Sequence, residues 1–230
     1  MKRFWTQTAV AAEESGFIVQ LDGRPVKLPS GQPLNVPFHA LAEAIAAEWG
    51  ATGPNFTPDD LPLTRLATTA QDRVRLMHTE IAGQLAAYGM NDLLCYRAEQ
   101  PPLAALEAGA WQPWLDWAAQ QFGIKLRSTA GIVHIEQSPT CGEMFTALLT
   151  AMDEYQLAGL GVIVPALGSL VLSLAVEAQA LTPEAACACA HVDELWQESL
   201  WGTDDAATAR RQTVIDDVAV SARFIRLCRA

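Results

Sequence analysis

Apolar residues return every three or four positions at Leu63, Leu66, Ala70, Val74, Met77, Ile81, Leu85 and Tyr88, a repeat that predicts one long amphipathic helix. Upstream the pattern is different. Residues 16–21 (Gly-Phe-Ile-Val-Gln-Leu) are followed by Asp22-Gly23-Arg24-Pro25 and then Val26-Lys27-Leu28 closed by Pro29, which predicts a β-hairpin with its own turn chemistry. Further extended pieces are expected over 4–10 and 34–36, then a short helix over 39–49. Pro54, Pro58 and Pro62 mark a connection. Beyond it the pattern predicts helices over 103–122, 139–157, 160–180, 183–201 and 204–227, with one extended interruption near residues 132–135. Thr182-Pro183 supplies a cap and a first-turn proline for the helix at 183. Strands followed by helices give an α+β class. The expected architecture is a small β-rich N-terminal domain with one short helix over 1–62, then a larger, mainly α-helical orthogonal-bundle domain over 63–230.

Composition narrows the possible partners. Half of the 230 residues are apolar, enough for a sizeable core, and the formal charge of -11 repels nucleic acid and anionic membrane surfaces while favouring a basic partner. Five cysteines without a Cys-x-x-Cys spacing, and an N-terminus without an apolar signal core, point to a reducing cytoplasmic setting. Residues 155–176 carry no charge and are long enough to span a bilayer, which needs about 20 apolar residues. Gly159, Gly161, Pro165, Gly168 and Ser169 interrupt the run, so a buried helix or helix hairpin is expected there rather than a membrane span.

The stretch 193–205, Asp-Glu-Leu-Trp-Gln-Glu-Ser-Leu-Trp-Gly-Thr-Asp-Asp, combines acids and tryptophans with no basic residue. At helical spacing Val192, Leu195, Trp196, Ser199 and Leu200 share one side, and Glu194, Gln197, Glu198 and Trp201 share another. Glu194 and Glu198 repel each other, and acids ahead of a stop glycine such as Gly202 oppose the helix dipole. Local stability does not explain them, so Asp193, Glu194, Trp196, Gln197, Glu198 and Trp201 form the expected partner-binding set. Removing the Glu194 charge is expected to leave stability unchanged or higher.

Other chemistry finds little support. Phosphate-loop, dinucleotide and nucleophile-elbow motifs are absent, and Gly168-Ser169 reads as close packing within an apolar helix. No cofactor and no metal are expected. The alternative is a small acidic metal-dependent hydrolase using His191, Asp193 and Glu194, which lacks a third and fourth ligand. Trp111, Trp114 and Trp117 read as a helix start packed on the core, and Arg65, Asp72, Asp92 and Arg97 as ion pairs or caps.

Several segments together resemble one family. They are residues 21–27 (Leu-Asp-Gly-Arg-Pro-Val-Lys), Glu48-Trp49, 62–66 (Pro-Leu-Thr-Arg-Leu), Asp72-Arg73, 92–97 (Asp-Leu-Leu-Cys-Tyr-Arg), Gly168-Ser169-Leu170, and Asp193-Glu194 through Trp201-Gly202. In order and spacing they are similar to the Atp-twelve chaperone family, from Phe4 to about Asp205. The resemblance implies an assembly chaperone for the catalytic head of the F-type ATP synthase, binding the free α subunit before β arrives. It also implies an essential acidic residue in the C-terminal helical region, assigned here to Glu194 with Asp193 and Glu198 as nearest competitors. A protein monomeric when free is expected, in the bacterial cytoplasm, or in the mitochondrial matrix for a processed eukaryotic chain.

Overall fold

A computed structural model describes residues 1–131 and 133–229. Strands β1 (Thr8–Glu13) and β2 (Gly16–Leu21) pair antiparallel with Val10 opposite Val19. Gly16 adopts φ 149, and a Cβ there would meet Val36 O at 2.6 Å, so only glycine fits against the neighbouring strand. The next turn uses Asp22 and Gly23, both at positive φ (48 and 78), with Leu21 opposite Arg24. That is the two-residue Asp-Gly turn whose twist matches paired strands. Asp22 also accepts the N–H groups of Thr6 and Gln7 at 3.1 and 2.9 Å, which lowers its pKa. Strands β3 (Arg24–Pro25) and β4 (Asn35–Val36) share the other edge of β2, β3 against Gln20 and Leu21, β4 against Phe17 and Ile18. The hairpin is shorter than the pattern suggests. Past β3 it continues through Val26 N–H to Val19 O at 2.8 Å and the bridge of Lys27 with Pro33, and the first strand begins at Thr8 rather than residue 4.

Helix α1 (His39–Ala51) buries Leu41, Ala42, Ile45 and Ala46 against the β1–β2 hairpin. Its end explains the Glu48-Trp49 pair. Glu48 accepts the N–H of Leu63 at 2.7 Å and of Thr64 at 3.0 Å, capping α2 (Pro62–Thr69), while Trp49 Nε1 donates to Thr64 Oγ1 at 3.0 Å. Trp5, Trp49 and Phe56 meet edge to face around them.

The long helix expected from Leu63 to Tyr88 is interrupted. After α2 the backbone widens into a π turn over Ala70–Val74, turns at residues 75–77, and resumes as α3 (His78–Met90). The buried amide of Gln71 lies in the π turn and donates to Asn35 O at 2.5 Å and Tyr155 Oη at 2.8 Å. Apolar spacing does not register such a polar tether, because both helical pieces keep the same repeat.

Beyond α3 come a single 3-10 turn (Leu93–Cys95), β5 (Tyr96–Arg97), α4 (Pro101–Phe122), β6 (Thr129–Ala130), α5 (Pro139–Thr150), α6 (Glu154–Leu167), α7 (Leu170–Glu177), α8 (Pro183–Ala190), α9 (Val192–Trp201) and α10 (Asp205–Leu227). Strand β6 pairs parallel with β5. It lies earlier than the expected interruption: Val133, His134 and Ile135 are not in a strand, and Ile132 is outside the described residues. The three helices expected over 139–157, 160–180 and 183–201 are five, α5 to α9, with breaks at 151–153, 168–169 and 191. The break at 151–153 has a capping box, in which Asp153 Oδ1 accepts Tyr155 and Gln156 N–H at 2.9 and 2.8 Å and Gln156 Oε1 accepts Asp153 N–H. At Gly168 the chain turns at φ 63 and Ser169 Oγ caps α7 through Leu172 N–H at 3.0 Å, so this pair ends one helix and starts another. His191, at φ -107 and ψ 24, separates α8 from α9. Among the described residues no helix is long and apolar enough to cross a membrane, and α7 is buried along its whole length.

The chain forms two compact units. One comprises Met1–His78, Asp153–Gly159 and Val220–Ala230, the other Thr79–Met152 and Leu160–Ala219. The chain passes from the first unit to the second at 78/79 and crosses between them three more times, at 152/153, 159/160 and 219/220.

Within the second unit, Asp92 is fully buried and accepts N–H groups from Leu94 at 3.1 Å and Val171 at 2.9 Å. Burial pushes its pKa up to about 6 against the pull of these hydrogen bonds. Asp92→Ala is expected to orphan both donors and cost about 3 kcal/mol, measured as a lower urea midpoint at unchanged slope.

Candidate partner-binding site

Three pieces of the second unit surround a groove of about 720 Å³. Residues 96–100 form one wall, α4 contributes Leu103 and Glu107, and α9 contributes Asp193, Trp196, Gln197 and Trp201, with Gly131 beside them. The α9 residues follow a helical i, i+3, i+4, i+8 spacing, so one stripe carries both tryptophans, the amide and an acid. Trp201 is 77% exposed at the end of α9, where Gly202 at φ 94 stops the helix. No residue of α9 is buried, and Leu195 and Leu200, placed by the pattern on an inner side, are exposed. The expected split of the helix is thus redrawn: Trp196 and Trp201 belong to one stripe, and Glu194 and Glu198 leave it.

Those two acids meet a cation that local spacing cannot see. Arg211 on α10 reaches Glu194 Oε2 at 3.3 Å through Nη1 and Glu198 Oε2 at 2.8 Å through Nη2. The Arg211 and Glu198 side chains are largely enclosed, whereas Glu194 is about half exposed. The expectation that Glu194 lacks a compensating base is therefore corrected. Its partner lies 17 residues away on the next helix, beyond any i, i+4 argument.

One groove residue is absent from the expected set. Glu107 is 1% exposed and follows Leu103 on a buried stripe with Trp111, Leu115 and Ala118. An acid on an apolar i, i+4 stripe is the signal that could have found it. Its Oε2 accepts Ala98 N–H at 2.6 Å, and its carboxyl is hydrogen-bonded to that of Asp193. Burial, reinforced by this hydrogen bond and the charge of Asp193, pushes Glu107 up to about 7. Arg97, at the groove wall, donates instead to Gln112 Oε1 at 2.6 Å.

The residues of the hydrolase alternative do not converge. His191 Nδ1 lies 2.8 Å from Cys187 O, Glu194 pairs with Arg211 and Asp193 faces Glu107. Among the described residues no group of three or more His, Cys, Asp and Glu side chains could hold a metal. Trp111 is mid-helix and buried, its Nε1 donating to Cys189 O at 2.8 Å.

Two outcomes are expected. Arg211→Ala costs about 2 kcal/mol because it strands the enclosed Glu198, while Glu194→Gln costs less than about 1 kcal/mol, both read by urea unfolding. The Glu107 carboxyl binds its proton more tightly folded than unfolded, so its stabilising contribution is complete below the ordinary value of 4.5 and is lost as pH rises through about 7. Glu107→Gln is expected to flatten that part of the profile of melting temperature against pH.

The match to known proteins covers nearly the whole chain. Residues 2–119 match the family described as ATP12 chaperone protein. The chain is 27% identical to the protein named atp12, mitochondrial, of Schizosaccharomyces pombe, over 98% of this chain and 82% of that one. It superposes on the crystal structure of Atp12 from Paracoccus denitrificans with a TM-score of 0.94 at 36% identity, covering 99% of this chain and 98% of the other. A mutant form of the same Paracoccus protein gives an equal score, and the Atu1473 protein of Agrobacterium tumefaciens gives 0.91 at 34% identity, covering 97% and 84%. These relatives are named as chaperones or Atp12 proteins, not as enzymes. The chain belongs to the ATP12 chaperone protein family, the assembly chaperones of the F1 ATP synthase.

Proposed function

We propose that the chain holds the free α subunit of the F1 head in the groove beside α9 and shields its β-facing surface until assembly. The observation that carries this reading is Trp201, 77% exposed at the edge of a groove that holds the buried carboxyl of Glu107 and the exposed one of Asp193. A large aromatic left in water at the edge of an acidic groove has the composition of an interface hot spot. Trp196 and Trp201 supply apolar contact, Gln197 an adaptable hydrogen bond, and Asp193 a charge for a basic client group. Glu194 and Glu198 sit outside the groove, where their pairing with Arg211 sets the position of α9. Glu194 keeps a half-exposed oxygen pair that also faces solvent, so it contributes long-range attraction more than buried contact.

Shielding requires binding and release only. A chaperone that covers apolar surface lowers the free client available for aggregation, and a stronger partner displaces it by mass action without nucleotide. The free protein is read as a monomer in the bacterial cytoplasm or, in mitochondria, the matrix.

The test is capture of purified α against purified β. Wild type is expected to retain α and not β. Trp201→Ala is expected to weaken α binding about 30-fold and Asp193→Lys by more, with thermal unfolding of both variants within a few degrees of wild type. Equal capture of α by both variants would place the client elsewhere.

A further inference from the structure

The groove contains an acid that is closed off from solvent and forms no ion pair among the described residues. Glu107 is almost fully enclosed, yet its carboxyl borders the groove rather than the core, and its one backbone donor, Ala98 N–H, is already in place. The other charged groups around it are Asp193 from α9, Arg97 from β5 and Glu99 from the turn that follows. Arg97 donates to Gln112 through Nη2 while its Nε is buried without a hydrogen-bond partner; its charge pulls the Glu107 pKa down, but it forms no ion pair with either carboxyl among the described residues. Glu99 lies over Gly131, where a Cβ would meet its Oε1 at 2.6 Å. The neighbouring acids Glu194 and Glu198 turn to Arg211, and His134 lies on Tyr96 Oη. Two carboxyls are thus left facing each other between the apolar walls of Leu103, Trp196 and Trp201.

Such a pair is comfortable in only two conditions. Either one carboxyl carries a proton and donates it to the other, or a cation sits between two carboxylates. Burial of Glu107 and the facing carboxyl favour the first condition in the free protein. Arginine or lysine from a bound protein would create the second, because its charge replaces the proton at the same place and the client covers the groove as it docks.

We propose that a basic side chain of the client enters between Glu107 and Asp193 and expels the proton they share. The O–H bond of the Glu107 carboxyl breaks, the proton passes to water, and two carboxylates remain around one ammonium or guanidinium, so charge balances. This rests on the reading that α docks in this groove. It makes capture tighter as pH rises through the value at which the free pair loses its proton, and it makes Glu107 a specificity residue rather than a buried cap.

Calorimetry tests it with purified α subunit and full-length chaperone, at pH 6 and pH 8, in two buffers of different ionisation heat. For wild type, about one proton released per α bound at pH 6 and a roughly tenfold rise in affinity at pH 8 are expected. Glu107→Gln keeps the Ala98 hydrogen bond and mimics the protonated acid, so it is expected to fold and to bind α more weakly at pH 8, with no proton release beyond that of the client itself. In the free protein, ¹³C carboxyl NMR is expected to show one glutamate titrating near 7 that is missing from Glu107→Gln. Capture of α with equal affinity at both pH values, or equal proton release from the variant, would overturn the proton linkage alone. A free-state Glu107 that titrates with the exposed glutamates would also overturn it. Absence of α capture at any pH would instead overturn the assignment of the groove to α.

Discussion

The carboxyl of Asp92, enclosed on every side, receives the N–H groups of Leu94 and Val171 and so joins the turn before β5 to the first turn of α7. A buried acid with fixed donors tolerates little displacement, because each lost hydrogen bond leaves a charge or an amide without water. The chain leaving that turn is therefore aimed as well. It runs through Tyr96 and Arg97, pairs with Thr129 and Ala130, and delivers Ala98 N–H to Glu107. The floor of the groove is set by one carboxyl and occupied by another.

Rigidity is not uniform around the groove. Residues 92–98 and α4 are fixed by buried hydrogen bonds and a stripe of enclosed side chains, whereas α9 has no fully buried residue and is bounded by His191 and Gly202. Its place depends on Arg211 holding Glu194 and Glu198 on one side and on the groove stripe on the other. A wall held by a few polar contacts opens more easily than a packed one, which suits a protein that must grasp a client and let it go. In the proposed function the firm wall supplies register and the loosely held helix supplies the exposed aromatic.

The sequence made the class of fold and much of the element order legible, and the reason is local. The Asp22-Gly23 hairpin, the Thr182-Pro183 helix start and the α10 repeat are written in residues close to one another. Helix interruptions at Ala70–Val74 and His191 are harder to read, since apolar spacing continues across them, whereas Gly168 and Ser169 stand out in the uncharged run. The Asp153…Gln156 capping box was present to be read but lay inside an unbroken apolar pattern. At the site, the acidic and aromatic character of 193–201 was visible, while its division into a groove stripe and an Arg211-bound pair was not. Both Arg211 and Glu107 come from other helices, and a helical wheel drawn for α9 contains neither.

Hydrogen exchange on the chaperone, free and saturated with α subunit, tests the groove assignment most directly. Slowed exchange is expected in 96–107 and 192–202, with the β1–β2 hairpin unchanged. Protection confined to the hairpin, with 192–202 exchanging as in the free protein, would contradict a client seated beside α9.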